Sequence, residues 1–287
     1  MSQNKYLDSA GLTVYDKKLK NWFKSEIVDI VEDAIKELFP IQDNPYVTFT
    51  AEEDNSSIGL AQLSTNQTLE YSTDTTTWNT FDTSTNIFLN NGDKVYVKGV
   101  LSSDNHNANY TQFKMSGKIS ASGNCNALWN YQDLNAPLKA YCGISMFFGC
   151  TSLTTAPELP ATTLVECCYP MMFYGCTSLT TAPELPATTL AEYCYYCMFR
   201  GCTSLTTTPE LPATTLAEQC YYRMFYQCTS LKHITCLAAD ISANQCTSGW
   251  VRGVSSTGTF VKHPNMSKWT TGTSGIPSGW EVVDAEL

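Results

Sequence analysis

Hydrophobic and polar positions follow three different rhythms along this chain. Over residues 12–39 apolar side chains recur at helical spacing: Leu12, Tyr15, Leu19 and Trp22 lie three, four and three residues apart, followed by Phe23, Ile27, Ile30 and Ala34. Asp and Lys fill the other face and Pro40 ends the run, so a helix is predicted there. Between residues 44 and 124 the rhythm shortens. Runs rich in β-branched and aromatic residues at 46–50, 69–72, 78–81, 86–89, 94–98 and 112–116 are separated by turn clusters such as Asn90-Asn91-Gly92-Asp93, which predicts a small β-sandwich. From Met146 to Leu231 the pattern instead repeats every 26 residues.

That repeat predicts a solenoid, in which each block stacks on the next and buries an apolar face that it could not bury alone. Each block opens at Met146, Met172, Met198 or Met224 and reads M-F-x-x-C-T-S-L; three continue into P-E-L-P-A-T-T-L. Leu153, Leu179, Leu205 and Leu231 form one column, Leu159, Leu185 and Leu211 a second, and Phe147, Phe173, Phe199 and Phe225 a third. Two cysteine columns run beside them: Cys142, Cys168, Cys194, Cys220 and Cys246, then Cys150, Cys176, Cys202 and Cys228. With parallel rungs roughly 4.8 Å apart, identical side chains touch along each column. Prolines flank Glu158, Glu184 and Glu210, and since proline cannot donate to a ladder they should bound very short strands.

At these residues the chain resembles the BspA-like leucine-rich repeats of bacterial surface proteins and their phages, over about residues 138–245. The stretch from Cys246-Thr-Ser-Gly-Trp250 to Ile276-Pro-Ser-Gly-Trp280 is similar to the closing module that follows such repeats. The resemblance implies a right-handed solenoid with an adhesive, ligand-binding role and no catalytic residues. A second one covers some twenty residues: Lys5-Tyr-Leu-Asp-Ser-Ala-Gly-Leu12 with Lys17-Lys-Leu-Lys20 resembles the start of phage tail-fibre and baseplate-appendage proteins. The expected fold is therefore mixed α/β. An N-terminal oligomerisation and attachment helix (1–43) precedes a β-sandwich (44–124), a leucine-rich-repeat solenoid (125–245) and a C-terminal capping module (246–287).

Composition narrows the function. A formal net charge of −10 argues against nucleic acid and against anionic membrane surfaces, and no run of 18 apolar residues is present to span a bilayer. The opening Met1-Ser-Gln-Asn-Lys-Tyr6 has no apolar h-region, so the protein is expected to stay in the cytoplasm or leave it by a route other than a signal peptide. Release by lysis, as for virion components, is what the second resemblance implies. Nine of the thirteen cysteines lie on the repeat columns, which reads as packed thiols, with disulfides between stacked neighbours as the alternative. Cys194-Tyr-Tyr-Cys197 has no second C-x-x-C to complete a zinc site, and the histidines His106, His233 and His263 lie far apart. No metal site and no cofactor are expected.

The columns that vary between blocks are the candidates for binding. One holds Phe148, Tyr174, Arg200 and Tyr226; a second Ser145, Met171, Cys197 and Arg223; a third Ile144, Pro170, Tyr196 and Tyr222. Tyr169, Tyr195 and Tyr221 stand beside them. Exposed Tyr and Arg are enriched at binding hot spots, so Tyr174, Tyr195, Tyr196, Arg200, Tyr221, Tyr222, Arg223 and Tyr226 are read as ligand-binding. The competing readings are that these tyrosines pack the convex side, or that the strand face with Thr154, Thr180, Thr206 and the glutamate columns binds instead.

The favoured function is a non-enzymatic virion tail appendage that attaches to a host cell-surface glycan or protein and contacts other virion proteins through its N-terminal segment. A bacterial surface adhesin is the alternative, and a glycan-cleaving enzyme using the glutamate columns is a weaker third.

The apolar stripe of Leu12, Tyr15, Leu19, Trp22, Ile27 and Ile30 is read as an oligomerisation seam. On this reading the full chain is a homotrimer and removal of residues 1–40 releases monomers. Light scattering that finds a monomer for the intact chain overturns the stalk.

Overall fold

The computed structural model describes residues 45–104 and 109–286. The expected helix, its six seam residues and His106 lie outside them. Within the described residues the mixed α/β expectation is overturned. The fold is almost all β, and its helix, α1 (Ala127–Asn130), is a single turn.

Strands β1 (Val47–Ala51), β2 (Ser56–Gln62), β3 (Gln67–Ser72), β4 (Asn79–Thr80), β5 (Asn86–Leu89), β6 (Lys94–Leu101), β7 (Gln112–Ser116) and β8 (Ile119–Ser122) form the first part. They make two sheets, β5-β2-β7 and a larger one ordered β4-β3-β6-β1-β8-β9, where β9 (Leu153–Thr155) belongs to the repeat region. Alternate residues of β1 and β6 point inward, and the antiparallel register sets Val47 opposite Val97 and Phe49 opposite Val95. Phe49 meets Phe113 of β7 across the interior, with ring centroids 5.1 Å apart.

No break in the core separates this part from the repeats. Strand β8 pairs in parallel with β9, Ile119 opposite Leu153, so the larger sheet runs on into the solenoid. The same apolar cluster extends from Val47 to Trp280. The solenoid, of about three turns, continues through parallel bridges at Thr155–Thr181 and Thr163–Thr189. It ends in the parallel strands β10 (Thr207–Leu211), β11 (His233–Cys236), β12 (Thr259–Lys262) and β13 (Glu281–Asp284). Pro209 lies within β10 instead of bounding it. The register between β10 and β11 slips by one residue between Thr207 and Glu210, where the proline cannot donate.

Opposite the strands, each rung is closed by a segment such as 166–175. No helix forms there, because left-handed φ recurs along it: Cys167 (φ 51°), Tyr169 (65°), Met171 (54°) and Gly175 (73°). Each left-handed non-glycine residue costs roughly 1–2 kcal/mol, yet the pattern returns on every rung. The compensation lies in the hydrogen bonds. Cys167, Met171, Phe173 and Gly175 donate their N–H groups to Glu192, Tyr196, Met198 and Arg200 of the next rung at 2.7–3.0 Å. Cys168, Met172 and Tyr174 bond three back, and the Tyr169 N–H donates to Cys142 of the preceding rung at 2.8 Å.

Phenylalanine and cysteine complete the rung. Phe147, Phe173, Phe199 and Phe225 stack at 5.4, 5.6 and 5.8 Å with planes within 7° of parallel. Phe113 of β7 lies beneath the first of them at 5.2 Å. The Cys176, Cys202 and Cys228 thiols donate to the carbonyls of Phe147, Phe173 and Phe199 one rung before, at 3.1, 3.0 and 3.0 Å. A small buried donor is what that position requires. All thirteen cysteines are free thiols.

The two ends are closed differently. Toward the N-terminus the first rung's carbonyls at Met146 and Phe148 accept from the Phe113 N–H and the Gln112 Nε2 of β7, and Trp129 of α1 lies against Tyr169 at 5.7 Å. Toward the C-terminus Trp250 covers Tyr221 at 6.1 Å and donates its indole N–H to Gly275 at 2.8 Å. The Gly249 N–H ends on the Ser274 hydroxyl at 2.9 Å.

Two outcomes follow for stability. Phe199→Ala, which empties a ring position stacked on both faces, is expected to cost about 3–5 kcal/mol in denaturant unfolding. Phe88→Ala, at a side chain 76% exposed, should stay within about 0.5 kcal/mol. Burial also pushes the Cys150, Cys228 and Cys236 thiols from 9.0 up to about 12. The unfolded chain loses these protons near pH 9 while the folded chain keeps them. The contribution is therefore whole below pH 9 and is lost between pH 9 and 12, at about 1.4 kcal/mol per thiol per pH unit. Melting temperatures that stay flat over that range contradict the packed-thiol arrangement.

Candidate functional site

The turn segments lie side by side and form a strip along the solenoid. Their variable columns divide into inward and outward sets. Tyr195 and Tyr221, expected on the surface, are 1% exposed and stack at 6.2 Å in an interior ladder with Tyr169. They pack the core and present nothing to a ligand. The other six candidates, Tyr174, Tyr196, Arg200, Tyr222, Arg223 and Tyr226, are partly exposed and lie together on the strip.

Stacking determines what these side chains show to solvent. Tyr196 and Tyr222 lie 4.8 Å apart with planes 4° from parallel, so each hides one ring face against the other. On the N-terminal side, however, the column continues into Pro170 and Ile144, which are much smaller. A step results, and the free side of Tyr196 walls a notch of about 390 Å³. Pro170, Ile144 and Met171 make its floor, while Tyr141, Tyr193, Glu166 and Gln219 supply its polar rim. Tyr193 leans against Tyr196 at 6.1 Å and 55°, and its hydroxyl accepts from Gln219 Nε2 at 3.1 Å. Cys167 also borders the notch, and burial holds its thiol up at about 11, so it is protonated and unreactive near neutral pH.

Beyond the notch the strip turns cationic. Phe148 stacks on Tyr174 at 4.7 Å. The Arg200 guanidinium then sits between Tyr174 and Tyr226, 5.0 and 4.7 Å from their ring centroids. Arg223 covers Tyr222 at 5.0 Å, and Arg252 covers the rim of Tyr226 at 5.8 Å. Gly249 is one repeat beyond Arg223. Its φ of 62° is the left-handed conformation that favours glycine, and a Cβ there would make only ordinary contact with the arginine's Cγ at 3.5 Å. Acidic side chains stand at the opposite end of each segment: Glu166 and Glu192 are exposed, and Glu218 accepts from Asn244 Nδ2 at 2.7 Å.

The sequence reading missed Tyr141, Tyr193, Gln219 and Arg252, and it set Glu166, in the column of Glu192 and Glu218, on the strand face instead. A usable signal existed for all four. Arg252 is 26 residues after Tyr226, and Tyr141, Tyr193 and Gln219 share one column with Cys167 at the same period. Among the described residues no group of three His, Cys, Asp or Glu side chains is placed to hold a metal ion. The chain matches no family profile, no curated protein and no solved structure.

Proposed function

We propose that this protein is a non-enzymatic attachment protein that binds a cell-surface glycan through the notch and the strip beside it. The notch is the observation that supports this reading. An aromatic face with hydroxyl, amide and carboxylate groups around it suits a sugar, whose C–H face packs on a ring while its hydroxyls exchange hydrogen bonds. A rigid stack of rungs holds these groups in place without any rearrangement on binding, which lowers the entropic cost of association.

In the same proposal the protein is a virion tail appendage, and residues 1–43 join it, as a homotrimer, to other virion proteins. The basis is the resemblance of Lys5–Leu12 and Lys17–Lys20 to the start of such appendages. Co-purification with intact virus particles tests the placement, and recovery from intact bacterial surfaces without lysis would replace it with an adhesin.

Tyr196→Ala removes the wall of the notch and is expected to weaken attachment of labelled protein to host cells at least about tenfold. Its melting temperature should stay close to that of the parent, because the side chain is partly exposed. Undiminished attachment by this variant would move the site to the strand face, the β-sandwich or the C-terminal end.

A further inference from the structure

The chain contains three arginines, Arg200, Arg223 and Arg252, and all three lie on the strip. Among the described residues none of them has a carboxylate partner. Among the described residues the ion pairs are Lys98–Glu70 and Lys262–Asp284, although Asp and Glu number 27 against 17 Lys and Arg. Arginine in an acidic protein ordinarily finds a carboxylate. Here the available ones stand at the far end of the same segments, in the columns of Glu166, Glu192 and Glu218. The guanidiniums rest on tyrosine rings instead. Stacking satisfies their flat faces and, apart from the Arg200 bond to the Cys197 thiol, leaves the N–H donors around their rims for a planar or tetrahedral anion.

Their spacing adds a direction. Arg200, Arg223 and Arg252 belong to three successive rungs, so with rungs ~4.8 Å apart the cations span ~10 Å along the solenoid axis. A 1,4-linked pyranose advances its chain by close to one rung spacing. An extended polypeptide brings a side chain to one face only every ~6.6 Å, which drifts out of step with the rungs. Duplex nucleic acid, with one charge per ~1.7 Å, needs far more neutralisation than three guanidiniums on a chain of net charge −10 provide.

We infer that the ligand is an acidic polysaccharide lying along the solenoid axis, and that Arg200, Arg223 and Arg252 bind its carboxylate or sulfate groups while an uncharged ring occupies the notch. This rests on the glycan-attachment reading and goes further by fixing the ligand's charge and direction.

The test measures binding of the full chain to polygalacturonate, dextran sulfate, uncharged dextran and poly-glutamate, at low and at raised salt. Polygalacturonate separates carboxylate recognition from the sulfate recognition that dextran sulfate reports. One acidic polysaccharide should bind at least about tenfold more tightly than dextran and weaken as salt rises. Combined Arg200→Ala, Arg223→Ala and Arg252→Ala should remove that preference with its salt dependence. Replacement of all three by Lys should restore part of it, because charge returns without the planar fork. Should the alanine variant fail to melt cooperatively, the lysine variant carries the comparison.

Equal affinity for dextran, or undiminished binding by the alanine variant, overturns the inference and leaves attachment through the notch standing. Preference for poly-glutamate overturns it in favour of an acidic protein partner. Failure to bind either charged polysaccharide also overturns it. Normal cell attachment by Tyr196→Ala separately overturns the underlying reading.

Discussion

Much of this molecule depends on one alternating pattern in the turn strip, where every second N–H, as at Met171, Phe173 and Gly175, donates to the next rung while the residues beside it bond three back within their own. A helix or an ordinary strand would not achieve this. It requires alternate peptide groups to face along the stack, which the chain reaches by accepting left-handed φ at residues such as Cys167, Tyr193 and Arg223. A single rung built this way would be strained and unsatisfied. Stacked, its donors meet the carbonyls of the following rung, as Phe199 meets Met224 at 3.0 Å, and the strain is held in place by neighbours on both sides. The ends are therefore the vulnerable points, and β7 and Trp250 with Ser274 are there to close them.

Phenylalanine, cysteine and leucine columns follow from the same arrangement. Once the rungs are in register, any side chain turned inward meets a copy of itself. Flat rings stack without gaps, and a thiol is small enough to fit while still donating to the Phe carbonyl behind it. Cysteine serves as a core residue here, and burial keeps it protonated.

The columns were legible from the sequence because a 26-residue period needs no assumption about secondary structure. The Leu, Phe and Cys ladders, and Tyr174, Tyr196, Arg200, Tyr222, Arg223 and Tyr226 on one strip, all come from counting. Which way each column faces was not legible. Inward and outward positions can be read from a period of two or of 3.6 residues, and a segment that alternates left- and right-handed turns follows neither. Tyr195 and Tyr196 are adjacent and chemically identical, yet one lies in the core and the other walls the notch. The notch itself was hidden because it arises from a difference in size between Pro170 and Tyr196, and a list of conspicuous residues passes over the small ones.

The step from Pro170 to Tyr196 is a break in translational symmetry, comparable to a fault in a crystal whose remaining layers are alike. Because the backbone of each rung is nearly interchangeable with the next, the fold has no stake in which rung carries the fault. Copying one side chain from a neighbouring block would slide the notch along the stack by a single layer. Recombination among the repeats would thus relocate or widen the notch without the folding problem having to be solved again.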